Sequence, residues 1–150
     1  MGEGVRHAEA SGEQVFVLET VIGAMIAHAL EDAPRECCGL LLGAGRRIAR
    51  AVRTRNAQAG TTRYLINPED HFAAIREARS LGLSIVGAYH SHPASAPIPS
   101  PRDLEDATHD FFYLIVSLVD PGGPEVRAFE LKQGNCRPLR LDTTPSPRCG

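Results

Sequence analysis

Gly87-Ala-Tyr-His-Ser-His-Pro93, followed after six residues by Ser100-Pro-Arg-Asp103, is the stretch on which the reading of this chain turns. An apolar run, Ile85, Val86 and Ala88, ends in two histidines separated by one residue. On a strand, residues i and i+2 point to the same side, so His90 and His92 can reach one ion. Pro93 has no N–H to donate and stops the strand, which puts the pair at a strand terminus where a site can open to solvent. Ser100 to Asp103 predicts a helix start, with Ser100 as cap and Pro101 at the first helical position. That start would turn Asp103 back toward the histidines.

Two imidazoles and one carboxylate are the donor set of a catalytic zinc site. Three protein ligands leave the fourth tetrahedral position for water, whereas structural sites close all four. The water needs a base, and Glu36 is a lone carboxylate at the entrance to the apolar strand Cys37-Cys38-Gly39-Leu40-Leu41-Leu42-Gly43. Sequence alone does not place it near the histidines. Each piece also has a plainer reading: histidines that only pack, a strand-edge acid, and a serine with an acid three residues on that simply initiates a helix.

Taken in order, Glu36 before Cys-Gly-Leu-Leu-Leu-Gly, then His90-Ser91-His92-Pro93, then Ser100-x-x-Asp103 resemble the JAMM (MPN+) metalloprotease family, over roughly Val15 to Leu141. Tyr64-Leu65-Ile66-Asn67-Pro68 is similar to the segment that precedes the histidines in that family. The resemblance implies an α/β fold: a single MPN-like, cytidine-deaminase-like domain with a curved mixed β-sheet flanked by helices. It implies Zn²⁺ held by His90 Nε2, His92 Nε2 and a carboxylate oxygen of Asp103. Glu36 would act as general base and then acid, and Ser100 would donate a hydrogen bond to the oxyanion. Family members hydrolyse peptide or isopeptide bonds after the C-terminal Gly-Gly of ubiquitin and ubiquitin-like proteins. Only seven residues separate Asp103 from Phe111, too few for the insertion carried by linkage-selective deubiquitinases. The chain therefore looks like the compact prokaryotic members, whose partners are ubiquitin-like or sulfur-carrier proteins.

Two other classes compete. MPN domains without the metal residues serve as non-catalytic scaffolds or protein-interaction modules, but every residue needed for catalysis is present here. A zinc nucleoside deaminase would need His-x-Glu together with Pro-Cys-x-x-Cys, and no Pro-Cys-x-x-Cys occurs. The helical His-Glu-x-x-His of other metalloproteases is absent as well. His7, His28, His71 and His109 lack a partner at ligand spacing, though His109 is near enough in sequence to back a ligand.

At 150 residues, with 43% hydrophobic and 23% charged content, the chain reads as one soluble domain. A net charge of −2 offers no electrostatic case for nucleic acid or an anionic membrane. With no apolar run of membrane-span length and no apolar signal core, the expected location is cytoplasmic. Cys37 and Cys38 are adjacent and no Cys-x-x-Cys occurs, so reduced, packed thiols are expected. Residues 1–13 are polar and aperiodic and residues 142–150 are Pro-rich. Both are expected to be disordered around a domain spanning 14–141.

Within the domain, Leu18, Val21, Ile22, Met25, Ile26 and Ala29 predict an amphipathic helix ending near Leu30. Strands are predicted at 14–17, 37–42, 46–56, 61–66, 84–90, 111–119, 125–131 and 136–141. A second helix is capped by Asn67 with Pro68 first, its inner face formed by Phe72, Ile75 and Ala78. A short helix carries the chain from Asp103 to His109.

Overall fold

A computed structural model of the chain describes residues 14–58, 65–105, 111–132 and 135–146. Its elements run β1 (Gln14–Leu18), α1 (Glu19–Asp32), β2 (Cys38–Ala44), β3 (Arg47–Thr54), α2 (Pro68–Ser80), β4 (Ser84–His92), α3 (Pro101–Glu105), β5 (Phe112–Ser117), β6 (Glu125–Lys132) and β7 (Asn135–Thr144). The α/β class and mixed sheet are as expected, but the sheet is not simply curved. It closes into a barrel in the order β1-β3-β2-β4-β5-β6-β7. The closing strand is β1, which pairs in parallel with β3 on one side and with β7 on the other. Closure removes the unpaired edges that an open sheet would expose.

This corrects the end of the last strand. β7 continues to Thr144, because Asp142, Thr143 and Thr144 stand opposite Phe16, Val17 and Leu18. Gln14 Nε2 also donates to Asp142 Oδ2 across the same pair. The predicted segment 1–13, residues 61–64 of the strand predicted at 61–66, and residues 106–109 of the helix predicted to reach His109 lie outside the described residues. Of the 61–66 strand, Ile66 makes a single antiparallel bridge to Asn56.

Two helices cover the two faces of the central strands. The α1 stripe, Val21, Met25 and Ala29, joins Val15, Val17, Leu41, Ile48, Tyr89, Leu114, Val116, Ala128 and Leu139 in one buried cluster. Alternate residues of the same strands, Leu40 and Ala88, pack on Ala74 of α2 instead. This double covering explains why β2 is buried from Cys38 to Gly43 without the polar alternation of a one-sided strand. Helix α1 runs to Asp32, two residues past the expected end. The inner face of α2 is corrected in part: Ala78 is buried and Ile75 half-buried as expected, but Ala74 takes the place expected for Phe72. Ala74 and Ala78 are buried there, whereas Phe72 is 63% exposed. Small residues let α2 lie close on the sheet, and the bulky ring is turned to solvent.

Strands β4 and β5 are parallel, from Gly87↔Phe112 to His92↔Ser117. A parallel pair needs a crossover long enough to return the chain by a full strand length. Here that crossover begins immediately after His92 and carries α3.

Candidate metal centre

His90 and His92 are the last even-numbered residues of β4, both buried, and their rings lie 5.0 Å apart between centroids. The antiparallel pairing of β4 with β2 brings Cys38 opposite His90. The backbone continues in the same register, with Ser91 N–H donating to the Cys37 carbonyl at 3.1 Å. One further step puts Glu36 opposite His92 on the same face of the sheet. Strand pairing thus supplies what local spacing could not.

Asp103 arrives from the crossover. Asp103 N–H donates to Ser100 Oγ at 3.0 Å, and Ser100 N–H donates to Asp103 Oδ2 at 2.8 Å. This reciprocal cap turns α3 so that Asp103 Oδ2 sits 3.1 Å from both His90 Nε2 and His92 Nε2. The two Nε2 atoms are 3.2 Å from each other. Zinc ligands at about 2.0–2.1 Å in tetrahedral geometry lie about 3.3 Å apart, so this triangle has the size of one face of such a shell.

The protonation states fit the same ion. The Ala96 carbonyl can only accept, so His92 Nδ1, 2.8 Å away, carries the proton and Nε2 presents its lone pair toward Asp103. A lone pair facing a carboxylate oxygen is favourable only with a cation between them or a proton on Nε2. Burial holds His90 below its ordinary value. Burial also pulls on His92, but Asp103 and the Ala96 carbonyl outweigh it and leave His92 raised. For Asp103, burial is outweighed by its contacts with the two histidines, and its carboxyl is held well below the usual range. His90, His92 and Asp103 are the one group among the described residues whose donor atoms could share a metal ion.

Glu36 and Ser100 line one open cleft with His92, walled by Pro34, Leu118 and Pro121. Glu36 is 7% exposed, and its Oε1 is buried with no hydrogen-bond partner among the described residues. Burial, with Asp103 adding to it and His92 opposing, pushes its carboxyl up to about 7. The Ser100 oxygen is already an acceptor in the α3 cap, which leaves its hydrogen to donate elsewhere. The Pro-rich loop between is pinned by the Ala96 carbonyl on His92 and by Ser117 Oγ donating to the Ser95 carbonyl at 2.7 Å.

Other candidates resolve into packing. Burial pushes the Cys37 thiol up to about 12 and Cys38 up to about 11, so neither is a nucleophile at neutral pH. His28 is buried, with Nδ1 2.8 Å from Tyr89 Oη, away from the triad of donors. His109 lies outside the described residues. Sequence reading assigned no role to Ala96, whose carbonyl fixes the His92 tautomer. Nothing in a Pro- and Ala-rich loop marks one carbonyl over another.

Comparison with known proteins places these features in context. Residues 18–132 match the family described as prokaryotic homologs of the JAB domain. A Thermus thermophilus protein named probable TtuB-protein conjugate cleaving protease is 37% identical over 109 residues, covering 72% of this chain and 70% of that protein. The CysO-cysteine peptidase of Mycobacterium tuberculosis is 33% identical over 117 residues, covering 76% of this chain and 80% of the peptidase. Among solved structures, the solution structure of a Desulfitobacterium hafniense protein superposes with a TM-score of 0.81 at 26% identity, covering 88% of this chain and 94% of that one.

Proposed function

Because the chain belongs to the family of prokaryotic homologs of the JAB domain, we propose that it is a zinc-dependent peptidase or isopeptidase. Its substrate would be a peptide or isopeptide bond that follows the C-terminal Gly-Gly of a ubiquitin-like or sulfur-carrier protein. The observation that carries the reading is the convergence of His90 Nε2, His92 Nε2 and Asp103 Oδ2, with His92 also lining the cleft that holds Glu36, whose buried Oε1 has no hydrogen-bond partner among the described residues. The names of the relatives, a protease for TtuB-protein conjugates and a CysO-cysteine peptidase, support the substrate class.

His90, His92 and Asp103 would hold the zinc. The chemistry bound zinc supplies is acidification of water, from a pKa of about 15.7 toward roughly 7. Glu36 takes the proton of the attacking water and returns it to the leaving amine, a role worth about 10²- to 10⁴-fold. Ser100 donates its hydroxyl hydrogen to the oxyanion of the tetrahedral intermediate. The apolar walls of Pro34, Leu118 and Pro121 suit a narrow glycine tail laid as an extended strand.

The test joins metal content to cleavage. Protein purified without added metal is compared with His90→Ala by elemental analysis, then offered a sulfur-carrier protein extended beyond its Gly-Gly end by a short peptide. About one zinc per wild-type chain, none in the variant, and mass-spectrometric release of the peptide are expected. A wild-type chain that takes up no zinc when it is supplied overturns the reading in favour of a scaffold.

A further inference from the structure

Between the two histidines stands a side chain that the zinc reading leaves unused. Ser91 is 0% exposed and points to the opposite face of β4 from His90 and His92, the face on which Tyr89 meets α1. A buried hydroxyl is costly unless it is hydrogen-bonded, and this one has a specific partner. Ser91 Oγ accepts the backbone N–H of Cys37 at 2.8 Å. That N–H belongs to the peptide bond joining Glu36 to Cys37. The carbonyl of the same peptide, Glu36 O, accepts from Asn56 Nδ2 at 2.9 Å. The peptide precedes the first residue of β2, and both of its polar atoms are met by side chains.

We propose that Ser91 is a positioning residue for the peptidase reaction: its hydroxyl ties the peptide that carries Glu36 to the strand that carries His90 and His92. The tie fixes the spacing between base and metal ligands, and it rests on the reading of Glu36 as the base. Ser91 touches neither substrate nor the reacting atoms. It acts on the reaction through Glu36, and small displacements of a catalytic group are costly in rate. A hydroxyl that only completed the fold would lower stability without regard to what residue 36 is.

The experiment therefore uses the full zinc-loaded chain as a double-mutant cycle, Ser91→Ala and Glu36→Gln singly and together, on the peptide-extended sulfur carrier. Ser91→Ala is expected to keep its zinc, to lower kcat about 10- to 100-fold with KM within about twofold, and to speed hydrogen exchange of the Cys37 amide. Ser91→Thr keeps the hydroxyl and should retain most of the rate. In the Glu36→Gln background, Ser91→Ala should cost nothing further. Should Ser91→Ala not fold, Ser91→Cys keeps a slightly larger side chain in place, weakens the acceptor and carries the same comparison. An equal loss from the Ser91 change in both backgrounds, or unaltered Cys37 exchange, overturns the positioning role while the base assignment stands. Full turnover by Glu36→Gln fails the base assignment instead. A wild-type chain that leaves the extended carrier intact fails the function, and the positioning role falls with it.

Discussion

A carboxyl with an oxygen buried and unpartnered, as in Glu36, favours its neutral form, and burial is the main reason. In the folded chain its pKa lies at about 7, above the ordinary 4.5. A group raised in this way contributes its full stability below its unfolded pKa and loses it as pH rises through the folded one. Metal-free protein should therefore be weakened by Glu36 between about pH 4.5 and 7. Gln does not ionise, so Glu36→Gln is expected to stabilise the metal-free chain by about 1–3 kcal/mol at pH 8 and by little at pH 4. Urea unfolding at the two pH values measures this, and an equal effect at both would mean that ionisation is not the cause. On the loaded enzyme the same substitution should retain zinc and lose about 10²- to 10⁴-fold in kcat, whereas His92→Ala should lose zinc and turnover together. The identity of Glu36 was legible in its position before the Cys-Cys-Gly-Leu run. Its place beside His92 was not, because that depends on a pairing between β2 and β4 some fifty residues apart.

Elements show a similar division between local and long-range information. The start of α2 was fully readable: Asn67 Oδ1 accepts from Glu69 N–H at 3.0 Å and Asp70 N–H at 3.2 Å, with Pro68 in the first turn. Its inner face was misread because periodicity ranks Phe72 above Ala74, while close packing against Leu40 and Ala88 selects the smaller residue. The two histidines and the α3 cap were legible for the same reason as the α2 cap, since each is a short-range pattern. The close pairing of β4 with β5 was not. A Cβ at Gly87 would stand 2.2 Å from the Phe112 carbonyl oxygen, a backbone atom that cannot swing aside. Gly87→Ala should therefore pry the parallel pair apart, costing about 1–3 kcal/mol or more. Because β5 meets β4 as far as His92, zinc affinity should fall with stability. Thermal unfolding and zinc titration of this variant check both, and a stable variant with full zinc affinity would show that the strands can separate locally without reaching the site.

At the scale of the whole molecule, closure of the barrel is the feature that local sequence signals least express. It joins Gln14–Leu18 to Arg140–Thr144, segments at opposite ends of the chain, and the Pro-rich composition after Leu141 reads as a tail. Ending the chain at Leu141 would remove Asp142, Thr143 and Thr144 from the pairing with Phe16, Val17 and Leu18, and would delete the Gln14 contact to Asp142. One edge of β1, whose Val15 and Val17 are completely buried, would then face water in part. At about 1 kcal/mol for each lost hydrogen bond, the truncated chain should be less stable by about 2–4 kcal/mol. A lowering of Tm by roughly 5–15 °C follows for a domain of this size. Strand β4, which carries His90 and His92, is three places from both β1 and β7 in the sheet order, so zinc per chain should not change. Calorimetry of the truncated protein beside elemental analysis separates the two effects. A Tm equal to that of the full chain would mean that the closing pairs add nothing. Loss of zinc at unchanged fold would mean that the site depends on the seam in a way the strand order does not provide.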